Sequence, residues 1–443
     1  MRFGTDGVRG VANLELTPEL ALALGRAAAR VLGGDRLIVG RDTRASGTLL
    51  EAAFSAGVAS EGADVAALGV VPTPVVAHAC AVEGVAGAMI SASHNAFADN
   101  GIKLFSSGGR KLSDQLEARL EAALEHLVRG EAGPGEQART GSDVGTVVAA
   151  PEHLLTYADA IVASLEGRDL AGLRVVADCA NGAASTIAPH VLRRLGAEVV
   201  VLNAAPNGTN INDGCGSTHP DALRAAVVDC GADVGLAFDG DADRVLAVDA
   251  AGELVDGDQT IAICAVDRHA RRVLRGDAVV VTVMTNLGFR VAMRDRGIRV
   301  VETPVGDRHV LDALDAEGLS LGGEQSGHVI FRDIASTGDG LLTGVQLLDI
   351  VRRDRSLAEL ATVMTRLPQV LRNVRIATND LDVRALIGDA LRAAESELGA
   401  TGRVVVRVSG TEPLVRVMVE APTHDQAEAV AARLASAVEA VSA

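Results

Sequence analysis

The sequence has 443 residues, a formal net charge of -17 and an aromatic content of only 2%. The negative charge disfavours nucleic acid and anionic membranes as main partners, and the scarcity of aromatic rings disfavours platforms that stack bases or sugars. Hydrophobic residues make up 48% of the chain, so sizeable cores can form, but the length exceeds what one core supports. Length alone suggests about three domains.

Strands and helices are predicted to alternate through most of the chain. Thr17 followed by Pro18 predicts a helix start, and an Ala- and Leu-rich run continues the helix to Leu32. Apolar runs predict strands at 36–40, 63–71 and 86–90. Segments that begin at 173 and 277 repeat the plan of a strand, a small polar loop and a helix. The alternation predicts parallel sheets in three α/β units of related plan.

Changes in composition divide the chain into four predicted domains. The most linker-like stretch, rich in Gly and polar residues, spans 128–145. After 367 the pattern changes to short strands, closed by an Ala-rich helix at 424–441. The predicted fold class is therefore α/β, with three related α/β domains and a smaller C-terminal α+β domain. The predicted domains are 1–148, 149–252, 253–367 and 368–443.

Cysteine usage and the lack of long apolar stretches bear on cellular location. The five cysteines contain no C-x-x-C pair and their number is odd, which is typical of a reducing compartment. The opening residues lack the apolar core of a signal peptide, and no run of about 18 uncharged apolar residues occurs. We therefore expect a cytoplasmic protein without membrane segments.

The first polar segment, Phe3-Gly-Thr-Asp-Gly-Val-Arg-Gly10, is rich in glycine. Small residues allow the backbone to approach a ligand closely, and the planar guanidinium of Arg9 suits a phosphate group. The segment is therefore predicted to be a glycine-rich loop that binds phosphate. The same residues would also suit an ordinary N-terminal turn.

The strand predicted at 86–90 ends in a dense polar loop that contains Ser91, Ser93, His94 and Asn95. In an open α/β sheet, ligands bind at the carboxyl ends of the strands. Either serine could be a nucleophile, but a hydroxyl is weak unless a base or a metal activates it. A serine hydrolase is disfavoured, because the G-x-S-x-G elbow is absent and adjacent Ser93 and His94 at a strand end should point apart. This loop is the predicted centre of the chemistry.

Asp239, Asp241 and Asp243 follow another apolar strand at alternating positions. This spacing lets three carboxylates converge on one side of an extended turn, where their mutual repulsion favours a bound cation. Ligation by oxygen alone suits Mg²⁺. An EF-hand is excluded, because its sixth and twelfth positions require Gly and Glu, where this chain has Arg244 and Ala250. The alternative is a solvated acidic turn.

The segment Leu321-Gly-Gly-Glu-Gln-Ser-Gly-His328 places a carboxylate, a hydroxyl and an imidazole between glycines. The side chains of Glu324, Ser326 and His328 are suited to hydrogen bonds with sugar hydroxyls. The segment could instead be a capped helix start, and His328 could be a core residue, since no zinc-ligand spacing includes it. A further polar loop at 303–309 indicates no particular chemistry by itself.

Near the C-terminus, Arg407 and Arg416 flank a loop of Ser409, Gly410 and Thr411 between two predicted strands. Backbone N–H groups and hydroxyls in such a loop, with a bidentate guanidinium on each side, make a good phosphate site. The alternative is a plain β-connection with exposed arginines. The pattern favours a phosphate-binding loop.

In this order, the five loops resemble those of the α-D-phosphohexomutases, and among them those that act on glucosamine phosphates. The resemblance covers nearly the whole length and is carried by Gly4-Thr-Asp-Gly-Val-Arg-Gly10, Ser91-Ala-Ser-His-Asn95, Asp239-Gly-Asp-Ala-Asp-Arg244, Gly323-Glu-Gln-Ser-Gly-His328 and Ser409-Gly-Thr-Glu-Pro413. Any one motif could arise by chance, whereas all five in order are highly specific. The resemblance implies that the four domains surround a central cleft.

The resemblance also implies a reaction. Ser93 would carry a phosphoryl group, and Mg²⁺ would be bound by that phosphate with Asp239, Asp241 and Asp243. The phosphoserine would convert glucosamine 6-phosphate to the 1,6-bisphosphate, which would turn around and return its other phosphate. The product, glucosamine 1-phosphate, would feed cell-wall precursor synthesis. Glucosamine 1,6-bisphosphate, or another hexose 1,6-bisphosphate, is the implied priming phosphoryl donor.

The same resemblance implies roles for the remaining site residues. Arg9 and Lys103 would give electrostatic support and transfer a proton near Ser93. Independently of the resemblance, phosphoryl transfer requires charge neutralisation, to which Arg244 could contribute, and with a metal available His94 would position the serine instead of acting as a base. The implied substrate-binding residues are Glu324, Ser326 and His328 for the sugar, and Arg407, Ser409, Gly410, Thr411 and Arg416 for the phosphate that is not being transferred.

The implied partner is a small sugar phosphate, without nucleic acid or membrane, and the chain is expected to act as a monomer or homodimer. Three alternatives remain: a phosphomannomutase or phosphoglucomutase, a metal-dependent phosphatase, and a sugar-phosphate sensor without catalysis. Three positions depart from the family pattern: Ala96 for Pro, His309 for Tyr and Val408 for Pro or Lys. Without the φ restraint of proline, Ala96 is expected to loosen the loop of Ser93.

Overall fold

The computed structural model describes residues 7–129, 138–376, 382–408 and 414–442. Its sheets are formed in turn by consecutive parts of the chain. The first unit contains strands β1 (Val8–Val11), β2 (Arg36–Arg41), β3 (Asp64–Val70), β4 (Ala86–Ile90), β5 (Asp99–Ser106), β6 (Arg110–Lys111) and β7 (Val147–Ala149). Its helices are α1 (Pro18–Leu32), α2 (Gly47–Ser60), α3 (Thr73–Glu83) and α4 (Asp114–Val128). The order of its sheet is β1-β5-β4-β2-β3-β7, with β6 beside β5.

The second unit begins with helix α5 (Glu152–Ala163). Its strands are β8 (Arg174–Asp178), β9 (Glu198–Leu202), β10 (Val234–Phe238), β11 (Val245–Asp249) and β12 (Leu254–Val255). Its other helices are α6 (Ala184–Arg194) and α7 (Asp221–Cys230). The order of the sheet is β12-β11-β10-β8-β9.

The third unit has a shorter sheet and more helices. Its strands are β13 (Ala278–Thr282), β14 (Arg299–Thr303), β15 (Leu321–Gly323) and β16 (Val329–Phe331). Its helices are α8 (Gly257–Ala270), α9 (Leu287–Arg294), α10 (Asp307–Glu317), α11 (Gly340–Arg353) and α12 (Leu357–Ala361). The order of the sheet is β14-β13-β15-β16.

The C-terminal unit is built differently, with an antiparallel sheet of order β17-β19-β18. The strands are β17 (Gln369–Arg375), β18 (Arg403–Val408) and β19 (Leu414–Glu420), and the helices are α13 (Val383–Leu386), α14 (Gly388–Leu398) and α15 (His424–Ser442). This arrangement confirms the smaller α+β domain. None of the described helices is long and apolar enough to cross a membrane.

The three α/β units share one plan, as predicted. In each, three parallel strands are followed along the sheet by an antiparallel one, in the orders β3-β2-β4-β5, β9-β8-β10-β11 and β14-β13-β15-β16. The sheets are therefore mixed, not purely parallel. The connection to the antiparallel strand contains Ser93 in the first unit, the three aspartates in the second and residues 324–328 in the third. The shared topology thus places three predicted functional loops at equivalent positions.

Apolar packing joins the first three units. One continuous cluster of buried side chains contains Phe105 from the first unit, Phe238 from the second and Phe289 from the third. The C-terminal unit has a separate cluster, in which Val417 of its sheet and Leu434 of α15 are buried. Among the described residues, one cluster is therefore shared by the three α/β units, each of which also has a smaller cluster of its own, whereas the cluster of the fourth unit is separate.

At the N-terminal end of the chain, one predicted feature is confirmed and one differs. Thr17 caps α1 as expected, since its Oγ1 accepts the N–H of Leu20 at 3.3 Å. Residues 3–10, however, do not form a loop throughout, because the chain from Val8 is strand β1, paired antiparallel with β5. Backbone hydrogen bonds to the edge of β5 outweigh the glycine content of the segment. Residues 3–6 lie outside the described residues.

Strands lie close to two of the predicted domain boundaries. Strand β7 spans the boundary placed at 148 and pairs with β3, so it belongs to the first sheet. Strand β12 lies just beyond 252 and pairs with β11 of the second sheet. The four domain ranges remain predictions.

Candidate active site

The loop after β4 meets the loop after β10, and this contact brings Ser93 to the aspartates. Ser93 Oγ donates a hydrogen bond to Asp239 Oδ2 at 2.7 Å, and both residues are fully buried. The backbones also touch, because a Cβ atom at Gly240 would lie 2.5 Å from Ser93 O. Ser91 Oγ instead donates to Asp42 Oδ2 at 2.6 Å. Of the two serines, Ser93 is therefore the one whose hydroxyl contacts the cluster of Asp239, Asp241 and Asp243.

The backbone of Ser93 has a left-handed conformation, with φ at 52°. A side chain other than glycine is strained there, and such strain clusters at functional sites. The left-handed turn also breaks the strand alternation, so that Ser93 Oγ lies 3.4 Å from His94 Nδ1. The expectation that these two side chains point apart is therefore wrong.

The serine loop is anchored by its carbonyl groups, through residues to which sequence reasoning assigned no role. Arg44, only 1% exposed, donates to Ser93 O at 3.0 Å, to Asn95 O at 2.8 Å and to Ala96 O. Asn212 of the second unit donates to Ser93 O at 2.8 Å and to Asn95 O at 3.0 Å. The loop is thus held from two units, which opposes the loosening expected from the missing proline.

The three aspartates converge in space. One oxygen of each of Asp239, Asp241 and Asp243 lies within 4.8 Å of the others, and all three residues are buried. The Oδ1 atoms of Asp241 and Asp243 are buried and accept no hydrogen bond from the described residues. Buried carboxylate oxygens that lack donors fit a hard divalent cation, which satisfies their lone pairs and offsets their repulsion.

The first unit supplies two further groups to this cluster. Lys103 Nζ of β5 lies 2.6 Å from Asp241 Oδ2 and 3.5 Å from Asp243 Oδ2. Thr73, the first residue of α3, donates from Oγ1 to Asp241 Oδ2 at 2.7 Å. The carboxylates of the second unit are therefore positioned in part by the first.

The neighbouring charges affect the three carboxylates unequally. Burial raises the pKa of Asp239, and the charges of Asp243 and Asp241 raise it further. Burial and the charge of Asp243 act to raise the pKa of Asp241, but Lys103 and the hydrogen bond from Thr73 outweigh them, so this pKa is below its ordinary value. The pKa of Asp243 is lowered further still against the effect of burial, by Lys103 and His328. The three carboxylates are therefore electrostatically unequal, and Asp239, which Ser93 contacts, is the one whose charged form burial and its neighbours disfavour.

Arg244 and His94 form a pair beside the serine. Arg244 Nη1 lies 2.6 Å from His94 Nδ1. Burial, together with the charges of Arg244 and Arg9, lowers the pKa of His94 to about 4. His94 is therefore neutral near pH 7, and its Nδ1 accepts from Arg244. With Nδ1 engaged by Arg244 and a pKa of about 4, the ring is a weak base, and the positioning role of His94 stays a prediction.

The loop of residues 324–328 lies against the aspartate cluster. His328 is buried between two carboxylates, with Nδ1 3.7 Å from Asp243 Oδ1 and Nε2 3.7 Å from Asp307 Oδ2. Burial lowers its pKa, but Asp243 and Asp307 outweigh burial and raise the pKa above the ordinary value. Ser326 is exposed. The environment of His328 is thus acidic, unlike that of a core histidine packed among apolar groups.

The polar loop at 303–309, which had no predicted role, reaches the first unit. Lys111 Nζ lies 2.5 Å from Asp307 Oδ2. Arg308 pairs with Asp114 at 2.7 Å and with Glu117, both on α4. These ion pairs connect the third unit to the first. The charges at 307 and 308 were visible in the sequence, but their partners are almost 200 positions away and could not be identified from it.

Arg407 and Arg416 lie directly opposite each other on β18 and β19. Like charges at facing positions destabilise a sheet. Burial and the charge of Arg416 lower the pKa of Arg407. An anion bound between the two guanidinium groups would relieve this repulsion. Ser409, Gly410 and Thr411 of the predicted phosphate loop lie outside the described residues.

Four family models match the chain in order. They are described as phosphoglucomutase/phosphomannomutase alpha/beta/alpha domains I, II and III and the C-terminal domain, and they match residues 1–129, 155–252, 256–367 and 367–437. A phosphoglucosamine mutase of Frankia casuarinae is 56% identical over 98% of this chain and 97% of its own length.

Solved structures share the whole fold. A phosphoglucomutase/phosphomannomutase family protein of Burkholderia thailandensis has a TM-score of 0.81 at 26% identity, and covers 98% of this chain and 96% of that one. An Aspergillus fumigatus N-acetylphosphoglucosamine mutase, solved with GlcNAc-6P and magnesium, has a TM-score of 0.70 at 18% identity, with 100% and 96% covered. A variant of the latter was solved with glucose 1,6-bisphosphate. The Aspergillus fumigatus likeness is one of fold alone.

Proposed function

The chain belongs to the phosphoglucomutase/phosphomannomutase family, with phosphoglucosamine mutases among its relatives, and we propose that it interconverts glucosamine 6-phosphate and glucosamine 1-phosphate. The observation that supports the proposal most directly is the hydrogen bond of 2.7 Å from Ser93 Oγ to Asp239, inside a buried carboxylate cluster. A serine in this position can carry a phosphoryl group that faces a cation.

The reaction proceeds in two balanced transfers. In the first, the P–O bond to Ser93 Oγ breaks as a bond forms to the O1 hydroxyl of glucosamine 6-phosphate. The proton of that hydroxyl passes to a basic group of the site, and the serine oxygen regains a proton. The resulting 1,6-bisphosphate turns around, and its 6-phosphoryl group moves to Ser93 in the same way. Glucosamine 1-phosphate leaves, and the phosphoserine is restored.

Side chains of this site provide positioning and charge, which are the main requirements of phosphoryl transfer. Arg244, paired with His94, presents a guanidinium beside Ser93. Lys103 Nζ, which lies 2.6 Å from Asp241, is the proposed group that exchanges protons with the substrate hydroxyl. Arg9 is on β1 opposite Gly101 and contributes charge on the same side. The left-handed backbone of Ser93 and its carbonyl anchors hold the nucleophile in place.

Mg²⁺ fits the cluster of Asp239, Asp241 and Asp243, since two of their buried oxygens lack a donor among the described residues. When bound, the cation would neutralise charge on the phosphate carried by Ser93. A hexose 1,6-bisphosphate is the proposed donor that first phosphorylates the serine.

The sugar and its second phosphate are assigned to the other two loops. Glu324, Ser326 and His328 would bind the sugar hydroxyls and the amine. Arg407 and Arg416 would bind the distal phosphate, because their facing positions on the sheet favour an anion between them. We also propose a cytoplasmic location, which is supported by the five cysteines, all of which are free thiols.

A steady-state comparison of three substrates tests the proposal. With Mg²⁺ and a trace of a hexose 1,6-bisphosphate, kcat/KM is expected to be highest for glucosamine 6-phosphate, and activity should be lost with chelator and restored by Mg²⁺. A preference for mannose 6-phosphate or glucose 6-phosphate would favour the other mutases of the family. Inorganic phosphate released in step with substrate loss would indicate a phosphatase, and binding without turnover would indicate a sensor.

A further inference from the structure

A buried polar path leads from the sugar loop, residues 323–328, to the junction between the third and C-terminal units. Its first contact lies at the start of α8. Gly257 N donates to Gln325 O at 3.0 Å, and Gln325 Nε2 donates to Asp258 Oδ2 at 3.2 Å. A Cβ atom at Gly257 would lie 2.3 Å from Glu324 O. The sugar loop is therefore seated directly on this helix terminus.

The second contact connects α8 to the junction. Asp258 Oδ2 also accepts the backbone N–H of Asn286 at 2.8 Å. The side chain of Asn286 pairs with both backbone groups of Leu367: Nδ2 donates to its carbonyl and Oδ1 accepts its N–H, each at 3.0 Å. Leu367 is the residue at which the matches to the third and fourth family domains meet. Asp258 and Asn286 are both fully buried.

The C-terminal unit is attached at the same place. Glu420 of β19 accepts the N–H of Leu287 at 2.8 Å and pairs with Arg403 of β18 at 2.7 Å. Arg403 donates in turn to Val283 O at 2.8 Å and to Thr285 O. Because the C-terminal unit has its own apolar core, these polar contacts around Asn286 are a main connection between it and the rest of the chain.

We propose that Asp258 is a positioning residue that couples the sugar loop to the C-terminal unit through Asn286. One carboxylate oxygen binds both the loop amide of Gln325 and the backbone of Asn286, so a shift of the loop is transmitted to Leu367. The coupling rests on the proposed function, since it connects the residues assigned to the sugar with the unit assigned to the distal phosphate. Its consequence is that occupancy of the sugar loop biases the placement of the phosphate-binding arginines.

A double-mutant cycle tests the coupling. Gln325→Ala removes the hydrogen bond from the sugar loop to Asp258. Asn286→Ser removes the contact with Leu367 while keeping a residue that can cap α9. Each single substitution is expected to raise KM for glucosamine 6-phosphate by roughly threefold or more, with a smaller change in kcat. If the path is continuous, the double variant resembles the worse single one. If the fold-increase in KM of the double variant equals the two single fold-increases multiplied together, the proposal is overturned, because the free-energy effects of independent sites add.

Substitutions at Asp258 provide the rescue test. Asp258→Ala removes the shared acceptor and should raise KM as much as the double variant does. Asp258→Asn keeps one acceptor oxygen and should restore most of the lost affinity. Equal damage from Ala and Asn would contradict the role of the acceptor. Thr17→Ala is the matched control: it removes the cap of α1 in the first unit, outside the path, and its effect on KM should multiply with that of Gln325→Ala.

Hydrogen exchange on the full-length enzyme without substrate separates this proposal from the proposed function. Asn286→Ser should increase exchange at amides of residues 257 and 324–327, about 30 to 40 positions away along the chain, because the loop loses its support. The same increase is expected whatever sugar phosphate the enzyme prefers, even if the mutase reaction is not found. Unchanged exchange at those amides, with an increase confined to residues near 286 and 367, would overturn the coupling.

Discussion

The serine centre and the paired arginines of the C-terminal unit are built on different principles. Ser93 and the aspartates lie between two units that share one apolar core, and buried hydrogen bonds hold Ser93, Asp239 and Asp241. Arg407 and Arg416 lie in a unit with its own core and face each other across two strands. Buried contacts fix the geometry of the first region, which we propose performs the chemistry, whereas the second presents two facing guanidinium groups, which we propose hold a charged end of the substrate. Substitutions in the first should lower kcat, and those in the second should raise KM.

The largest effect is expected from removing the nucleophile at the serine centre. Ser93→Ala should reduce kcat by about 10³-fold or more, because no other group can carry the phosphoryl group. Ser91→Ala is the comparison: Ser91 Oγ donates to Asp42 and accepts the backbone N–H of Ser93 at 2.9 Å, so it supports the loop without carrying the phosphoryl group, and its loss should reduce kcat far less. Steady-state turnover of glucosamine 6-phosphate measures both. Loss of activity in Ser91→Ala with activity retained in Ser93→Ala would reverse the assignment.

A smaller but still large effect is expected at the carboxylates. Asp241→Asn should lower kcat by about 10²- to 10³-fold and raise the Mg²⁺ concentration needed for half-maximal rate, because it removes charge from the proposed cation site. Titration of activity with Mg²⁺ is the measurement. Asp229→Asn, on the exposed face of α7, should leave both quantities unchanged. An unaltered Mg²⁺ dependence in Asp241→Asn would argue against metal binding by this cluster.

Substitutions in the pair of Arg407 and Arg416 should mainly raise KM. Arg416→Ala should raise KM for the sugar phosphate by about 10- to 100-fold, with a smaller loss in kcat, since a hydrogen bond to a charged group is worth about 1.5–3 kcal/mol. Arg416→Lys keeps the charge but lacks the planar fork, and should fall between wild type and Ala. A pure kcat defect would place Arg416 at the reacting centre instead of at the distal phosphate.

The smallest predicted effect concerns stability at the border of the shared core. Tyr157 Oη donates to both oxygens of Asp339 at 2.9 Å, and burial raises the pKa of Asp339 to about 6. The folded state then binds a proton more tightly than the unfolded state, so stability falls as pH rises from about 4 to about 6. Asp339→Asn keeps a helix cap and should lack this fall. Measuring Tm as a function of pH for wild type and Asp339→Asn tests this prediction. Parallel curves of Tm against pH for the two proteins would contradict it.

Much of this centre could be predicted from the sequence because its residues lie in short, polar motifs. Ser93 and the three aspartates stand at strand ends, and the topology of an α/β unit brings such ends to one edge. The residues of the loop by themselves left two serines open, and Ser93 was selected by the family resemblance; the structure separates the two by the partners of their hydroxyls. The choice depends on a contact between residues 93 and 239, which no local pattern contains.

Residues that support the site were harder to predict. Arg44 and Asn212 bind the carbonyls of the serine loop across 49 and 119 positions of sequence, and neither lies in a motif of evident chemistry. The side chains of Ser93 and His94 were wrongly predicted to point apart, because strand alternation does not extend to a residue with positive φ. Local rules therefore found the reacting groups, whereas long-range contacts determine how those groups are held.

The central claim is that Ser93 carries the phosphoryl group, and intact-mass analysis tests it most directly. Enzyme incubated with a hexose 1,6-bisphosphate and Mg²⁺ should gain the mass of one phosphate, and fragmentation should locate it at Ser93. The same treatment should leave Ser93→Ala unmodified. A wild-type enzyme that turns over substrate but never acquires the phosphate, or a Ser93→Ala variant that does, would contradict the account.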